Sequence, residues 1–349
     1  MPDLSDANSQ ELFEVVAELN SIIGDRFSSI THNFSAPQNS NLASASFSPA
    51  VYVEKANQAV SVPVQHSKSN SISSNSSGLW VQASLSNSAQ DDESNAVASL
   101  DQSYDADTQS FSIGYDVALS DTTLVGISAS YSDIDIDQLR TARDETEIDA
   151  IQITAYALRQ YGAWQVNGQL GYISGDADTS RTVLGEEITA DFDLDGFNVQ
   201  VEANYTFKLG KTGYFTPLIG LQYVDISQDN YTETGGLNLT VEGVDSDYIE
   251  GRLGFRVGEQ IVSPSSVTDL FFSAAIVSDF SSATDDISIS FADQTSNLSI
   301  FDADDERIEL GAGVNWYSSE NYSFGASING EFSDDFYTVG GRVQFKFNF

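Results

Sequence analysis

From residue 78 onward, hydrophobic and polar residues alternate along the chain in one segment after another. The segment "FNVQVEANYTFKL" places Phe197, Val199 and Val201 on one face and Asn198 and Gln200 on the other. A repeat of two residues is typical of a β-strand with one apolar and one polar face. Twelve such segments begin near Leu79, Phe111, Thr123, Asp149, Trp164, Phe197, Phe215, Tyr248, Leu270, Arg307, Tyr322 and Tyr337.

The length of these segments and the spacing of their connections favour a membrane barrel over a soluble β-sandwich. The segments carry about ten alternating residues, whereas strands of soluble sheets usually have about 5–6 and a tilted membrane strand needs about 9–11. Short connections such as "RQYGA" and "GKTG" alternate with long loops, which we predict around 91–107, 133–147, 174–195, 225–247 and 279–306. We therefore predict an all-β fold, a twelve-stranded antiparallel transmembrane β-barrel over residues 78–349.

In such a barrel the polar face of each strand lines the lumen, and the apolar face contacts lipid. A basic side chain on the lipid face at mid-depth would cost about 2–4 kcal/mol, and the alternation avoids this at most strand positions. The predicted lumen-lining residues, in which acidic and basic side chains can pair, are Glu202, Lys208, Glu250, Arg252, Arg256, Arg307, Glu309, Glu331, Arg342 and Lys346.

The first 77 residues lack the strand-like alternation of the rest of the chain. Residues 9–27 repeat leucine, valine and isoleucine at helical spacing. Residues 51–62 form a weaker helical segment, and "SKSNSISSNSSG" is typical of a flexible linker. We predict two regions, an N-terminal helix and Ser/Asn-rich linker over residues 1–77 and the barrel over residues 78–349.

The charge of the chain restricts its partners. With 52 acidic and 14 basic residues, its net charge of −38 should repel nucleic acid. Well over half of the acidic residues fall in the predicted long loops. Divalent cations on these loops are therefore possible partners, although solubility in a salty habitat explains the same composition. Which residues would hold a metal stays open.

Catalytic chemistry and a secretory leader have little support in the sequence. The chain has no cysteine, and its two histidines, His32 and His66, precede the barrel. It has no strand-flanked Gly-x-Ser-x-Gly elbow. We therefore expect no enzyme, no catalytic residue and no cofactor. Residues 1–6 lack the basic and apolar regions of a secretory signal, so we expect the chain to be a fragment or to start further upstream.

Several stretches of the barrel resemble one known family. They are "GLWVQ" in the first strand, "YDADTQSFSIGYDVALSDTTLVGISASYSDIDID" in the second and third, "YGAWQVNGQLGY" in the fifth, "TPLIGLQYVDISQDNYTETGG" in the seventh, "YSFGASINGEF" near the end and the aromatic terminus "RVQFKFNF". Together they resemble the β-domain of bacterial autotransporters, the translocators of type V secretion. The resemblance covers residues 78–349.

This resemblance implies a location, a set of partners and a function. The barrel would lie in the outer membrane of a Gram-negative bacterium, in contact with its lipid and lipopolysaccharide, and would carry an N-terminal passenger segment to the surface. The barrel-assembly machinery would recognise the last strand through Phe345, Phe347 and Phe349. A small plugged pore, similar to a porin, is the alternative function.

The resemblance also implies a helix threaded through the pore just before the first strand. Two segments qualify. Residues 9–27 form the stronger helix, whereas residues 51–62 lie closer to the first strand. We prefer residues 51–62, because the plug must enter the barrel shortly before Leu79.

Overall fold

The computed structural model describes residues 11–12, 15–17, 19–21, 77–90, 103–138, 144–236, 238–284, 287–291, 294–298, 306–318, 321–334 and 336–349. Residues 11–12, 15–17 and 19–21 are helical. The strands are β1 (Gly78–Gln90), β2 (Tyr104–Ser120), β3 (Thr123–Gln138), β4 (Asp144–Tyr161), β5 (Trp164–Val183), β6 (Glu186–Tyr205), β7 (Phe207–Leu209), β8 (Gly213–Gln228), β9 (Tyr231–Thr232), β10 (Thr240–Val241), β11 (Val244–Ser263), β12 (Ser266–Thr284), β13 (Ile287–Phe291), β14 (Gln294–Leu298), β15 (Glu306–Ser318), β16 (Tyr322–Phe332) and β17 (Phe336–Asn348).

Most of these strands form one closed antiparallel barrel. The order around the wall is β1, β2, β3, β4, β5, β6, β8, β11, β12, β15, β16 and β17. The short strand β7 continues β6, and both pair with β8. The wall closes where β1 pairs with β17, from Gly78 opposite Asn348 to Gln90 opposite Phe336. The predicted twelve-stranded all-β barrel is thus confirmed.

Apolar side chains face outward in the half of the barrel nearest the tight turns. On β6, Phe197, Val199 and Val201 are 40 %, 38 % and 50 % exposed, whereas Asn198 and Gln200 are buried. An apolar outer band around a polar interior is the arrangement that lipid stabilises. We call this half the membrane-spanning part. Among the described residues, no helix has both the length and the apolar character needed to cross a membrane.

Toward the opposite rim the polarity of the two faces reverses. On the same strand β6, Phe192 and Leu194 point inward and are buried, whereas Asp191, Asp193 and Asp195 point outward. The inward apolar residues form one buried cluster, which includes Tyr104, Ala106, Ile134, Ile136, Ile148, Ala150, Ile173, Ala177, Ala190, Phe192, Leu194, Val224, Ile226, Val244 and Tyr248. This half has the pattern of a water-facing barrel with its own core. We call it the extracellular part, because long connections mark that rim.

This reversal corrects two of the predicted loops. The stretch 174–195 is a hairpin in which Val183 pairs with Glu186, so that only Leu184 and Gly185 form its turn. Both turn residues have positive φ, 54° and 86°, as a two-residue hairpin turn requires. Likewise the stretch 133–147 contains the paired ends of β3 and β4, which meet at Gln138 and Asp144. The two loop predictions are wrong because the strands continue through these stretches. The apolar residues there face inward and the polar residues face outward, the reverse of the membrane-spanning part.

A small sheet lies over the extracellular end of this core. Its strand order is β14, β13, β10, β9, and a bridge between Thr189 and Thr234 joins it to β6. Tyr231 of β9 stacks on Phe192 with ring centroids 4.7 Å apart. Val241 of β10 is buried in the same apolar cluster. We call these four strands the lid. The lid also occupies parts of two stretches predicted as loops, 225–247 and 279–306.

Tyrosines mark the outer boundary between the two parts. Tyr172 donates a hydrogen bond to Asp195 (2.6 Å), and Tyr223 donates one to Asp225 (3.3 Å). Tyr131 is the last outward aromatic residue of β3 before its acidic end. A ring on the lipid side and a hydroxyl on the water side suit the headgroup level of a membrane. The membrane surface is therefore expected at this height.

Candidate functional site

The helical residues lie inside the barrel. Leu12, Val15, Val16 and Leu19 are at most 4 % exposed and belong to the same buried apolar cluster as the inward residues of the extracellular part, a cluster that also reaches Trp80 near the tight turns. Their spacing places them along one side of a helix. The lumen therefore holds residues of the predicted segment 9–27, the one we did not prefer. The preferred segment, 51–62, lies outside the described residues.

Polar contacts at its two ends fix the direction of the helix. Ser88, near the extracellular end of β1, donates a hydrogen bond to Glu11 (3.4 Å). Ser21 follows Glu11 by ten residues. Its hydroxyl accepts a hydrogen bond from the guanidinium of Arg342, which lies halfway along β17 (3.0 Å). From Glu11 to Ser21 the chain thus runs from the extracellular part into the membrane-spanning part.

One side of the lumen carries a network of ion pairs, which we call the charged wall. Arg307 pairs with Glu250, with Glu331 and, at 3.1 Å, with Asp279. Three buried carboxylates on neighbouring strands therefore share one guanidinium. Burial of these charges is tolerable only because each has a partner in the network.

Arg252 extends the charged wall toward β6. It pairs with Glu309 and lies 3.8 Å from Glu202. Arg342 completes this side, with its guanidinium between Ser327 and the helix. A cavity of about 130 Å³ separates the helix from the charged wall, and Ala17 and Ser21 are the small helical side chains that face it.

A second group of polar side chains crosses the barrel seam near the tight turns. Lys346 on β17 donates to Asp116 on β2 (2.7 Å), which also accepts a hydrogen bond from Tyr156 (2.5 Å). Trp80 on β1 donates to the hydroxyl of Tyr156 (2.9 Å). The Tyr156 ring reaches this position by crossing β3 at Gly126, where an added Cβ would lie 2.2 Å from the ring. These contacts connect strands on both sides of the β1–β17 seam.

A matching group lies on the opposite wall. Tyr214 on β8 donates to Asp269 on β12 (3.0 Å), and its ring crosses Gly258 of β11, where an added Cβ would lie 2.4 Å away. The positive charge of Arg256 acts on Asp269, and its guanidinium lies over the Phe271 ring, 3.4 Å from the ring centroid. In both groups a tyrosine reaches across a glycine of the intervening strand to an aspartate with a basic neighbour.

Of the ten residues predicted to line the lumen, nine are buried or half-buried on the inner face of their strands. Lys208 is exposed on β7, beside a tight turn and opposite the inward Tyr214. The sequence interpretation missed the acidic partners Asp116, Asp269 and Asp279. All three lie on the polar face of their strands, so that the alternation already contained the signal for them. The terminal Phe345, Phe347 and Phe349 are about half exposed on the outer face.

At the extracellular end of the lumen, a buried ion pair joins strand β5 of the barrel to the residue that follows β9 of the lid. Arg181 on β5 donates two hydrogen bonds to Glu233, at 2.5 and 2.6 Å, and both side chains are buried. The same carboxylate accepts a hydrogen bond from the backbone of Leu239 (2.8 Å). Bidentate geometry makes this the strong form of an ion pair. The lid is therefore fastened to the barrel.

The outer face of the extracellular part carries opposed carboxylates. Asp133, Asp149, Asp176 and Asp193 form one row across four strands. A second row contains Asp107, Asp135, Glu147, Asp178 and Asp191. Partial desolvation and the charge of Asp176 raise the pKa of Asp193 above its ordinary value. No Lys or Arg of the described ranges lies on this face. Nor do any three acidic or histidine side chains described here converge into a metal site.

Comparison with known proteins identifies the barrel. The family model described as "Autotransporter beta-domain" matches residues 79–329. "Outer membrane protein A" of Rickettsia conorii is 26 % identical over 199 residues, which are 53 % of this chain and 10 % of that protein. The chain thus spans about a tenth of the length of this curated relative. The family and this relative place the chain in the outer membrane of Gram-negative bacteria.

Solved structures share the fold. The translocator domain of autotransporter NalP from Neisseria meningitidis superimposes with a TM-score of 0.62 at 16 % identity, over 78 % of this chain and 89 % of that one. The β-domain of the Bordetella autotransporter BrkA gives a TM-score of 0.62 at 18 % identity, over 78 % and 99 %. At such identities the likeness supports the architecture alone.

Proposed function

The chain belongs to the autotransporter β-domain family, and on this premise we propose that it works as a translocator. In this role the barrel anchors an N-terminal passenger in cis and helps it reach the cell surface. The direction of the helix is the observation that supports this role best. Because Glu11 lies toward the extracellular rim and Ser21 lies deeper, a passenger before Glu11 would emerge outside.

The lumen is suited to hold a chain segment. A twelve-stranded barrel of this kind has room for about one helix of diameter ~10–12 Å. The inward residues Glu202, Glu250, Arg252, Arg307 and Arg342 would keep the wall polar, as a passing polypeptide requires. In this proposal the lumen binds and guides, and the barrel performs no catalysis. Esterase activity of the purified barrel would contradict that part.

Surface display of a reporter tests the translocator proposal. A small cysteine-free domain is joined before Met1 of the full chain, and its digestion by protease added to intact cells is measured. We expect digestion in cells whose barrel shows heat-modifiable gel migration. The same fusion with Val343→Arg, which places a charge in the lipid band, serves as the non-inserting control. A reporter that stays protected although the barrel is inserted would refute the proposal.

The alternative, a small plugged pore, predicts a different result in planar bilayers. As a translocator with its helix in place, the full chain should conduct poorly, and deletion of residues 1–77 should raise the conductance. High conductance of the full chain would favour the pore. The cavity beside the charged wall is the feature that would carry ions in that case.

We further propose that the last strand is the signal for the barrel-assembly machinery. Phe345 and Phe347 face outward, and Phe349 stacks on Tyr115 with ring centroids 5.9 Å apart. Phe349→Ser should slow insertion in cells, whereas Asn348→Ser should leave the rate unchanged. Equal rates for both variants would contradict this role.

Lipopolysaccharide and divalent cations are the proposed partners of the acidic outer face. The rows of carboxylates begin just above the boundary tyrosines, at the level where lipid phosphates lie. Because opposed like charges are destabilising, a layer of Mg²⁺ or Ca²⁺ between these carboxylates and the phosphates would stabilise both. A chelator should lower the thermal midpoint in lipopolysaccharide-containing vesicles. An unchanged thermal midpoint would contradict the proposed cation layer.

A further inference from the structure

The two sides of the lumen differ in chemistry. Next to the charged wall, where Gln222 of β8 pairs with Glu250 of β11, the inner faces of β4, β5, β6 and β8 carry uncharged carboxamides in the membrane-spanning part. Gln169, Gln200 and Gln222 lie directly opposite one another on three adjacent strands. Six residues define this surface, which we call the amide wall: Gln152, Gln165, Gln169, Asn198, Gln200 and Gln222.

The amide wall has unused hydrogen-bonding capacity. All six side chains are at most 9 % exposed. Among the described residues, neither amide atom of Gln165 or Asn198 has a hydrogen-bond partner, and the same holds for Oε1 of Gln152 and Nε2 of Gln222. Buried polar groups without partners are rare in proteins, and each destabilises the fold that buries it. A cluster of them facing one lumen indicates a ligand that offers both donors and acceptors.

The contact that already exists between wall and helix identifies the class of ligand. Gln169 donates from Nε2 to the backbone carbonyl of Asn20 (3.1 Å). A carboxamide has two donors and one acceptor oxygen, which complement the N–H and C=O of a peptide group. Such a bond depends on the main chain and not on the side chain of the residue that is bound. The charged wall, in contrast, distinguishes side chains by their charge.

We propose that the amide wall is a binding track for the main chain of a polypeptide in the lumen, and that it accepts any sequence. This proposal rests on the proposed translocator function and names how the passenger is held. The helix occupies the track at Asn20, and a passing segment would use the remaining amides, above all Gln165, Asn198 and Gln222.

Export of reporters with different compositions tests the track. The full chain carries a reporter behind a leader of equal length that is either Ser/Gly-rich or Asp-rich. In Gln165→Leu/Asn198→Leu/Gln222→Leu, similar volumes remain without amides, and the surface appearance of both reporters should slow by about tenfold. The matched pair Arg252→Met/Glu309→Met should instead change the two reporters unequally. Wild-type rates in the triple variant, or a loss for only one leader, would overturn the track.

The wild-type fusion separates this failure from that of the proposed function. If wild type displays neither reporter, the translocator function fails, and the track fails with it. If wild type displays both and the triple variant does so equally fast, only the track fails.

A second measurement applies if the triple variant does not insert. Single-channel recordings of the purified full chain report how often the helix leaves the lumen. Gln169→Leu should raise the frequency of openings several-fold, because it removes the bond to the backbone. Asn20→Ala should leave the frequency near wild type, because the carbonyl remains. Equal effects of the two substitutions would mean that the wall recognises the side chain, and the proposal would be wrong.

Discussion

The reversal of polarity along one strand predicts opposite effects for one substitution at two sites. Val201 and Asp193 both point outward from β6, Val201 in the membrane-spanning part and Asp193 in the extracellular part. We expect Val201→Arg to destabilise the barrel strongly and Asp193→Arg to be neutral or stabilising.

The expected magnitudes follow from where each side chain lies. Val201 is the third of five outward residues between Phe197 and Tyr205, and therefore near mid-depth. An arginine there costs about 2–4 kcal/mol, which lowers the folding equilibrium constant by roughly 30- to 1000-fold. At Asp193 the same arginine would replace a like charge opposite Asp176 by an opposite one, which favours the folded barrel slightly. The two substitutions should thus differ in sign.

Reversible urea titration of the full chain in phospholipid vesicles measures both variants, with heat-modifiable migration as the count of folded protein. Phe192→Ala is the inward control in the extracellular part, and it should cost about 3–5 kcal/mol because Phe192 is buried there. If Asp193→Arg were as costly as Val201→Arg, lipid would reach both heights. Our placement of the membrane boundary would then be wrong.

Three further outcomes are expected. Gly126→Ala should lower the urea midpoint, because its Cβ would overlap the ring that crosses it, whereas Gly168→Ala, with its nearest neighbour at 3.5 Å, should not. Arg181→Gln should cost about 3–5 kcal/mol, because it leaves the Glu233 carboxylate buried without its cation, and should speed hydrogen exchange in the lid. Because the pKa of Asp193 is raised in the folded state, repulsion present at neutral pH is relieved as pH falls toward 3.8. The urea midpoint should therefore rise as the pH is lowered from neutral toward 3.8, and by less in Asp193→Asn; a falling midpoint would contradict the sign.

The sequence was sufficient for the membrane-spanning part because a single rule operates there. Lipid requires every outward residue to be apolar, so the period-two pattern of "FNVQVEANYTFKL" identifies both the strand and the face that lines the lumen. That Glu309 and Arg252 both face the lumen follows from parity alone. Which inward acid pairs with which inward base depends on the register between neighbouring strands. The residues of a single strand do not determine that register.

The extracellular part could not be predicted by the same rule. Aspartate is depleted in strands in general, so the stretch 174–195 has the composition of a loop. In a strand whose outer face meets water, however, an outward aspartate is already solvated and costs little. The inward residues Phe192 and Leu194 still alternate with the aspartates, and this is the signal that distinguishes a strand from a loop. Closeness in sequence to Leu79 favoured residues 51–62 as the plug, but it gave no reason to expect residues of segment 9–27 in the lumen, where the structure places them.

The helix carries the same change of polarity as the barrel around it, and this match fixes its depth. Leu12 and Leu19 lie in the apolar cluster, whereas Ser21 lies beside Arg342 in the polar lumen. A shift by one turn, about 5.4 Å, would separate Ser21 from Arg342, the Asn20 carbonyl from Gln169 and Leu19 from its apolar contacts. Burial of a hydroxyl without a partner costs about 1–3 kcal/mol, and the leucine would lose apolar contacts as well. The height at which the barrel reverses its faces therefore also sets the depth of the described helical residues in the lumen.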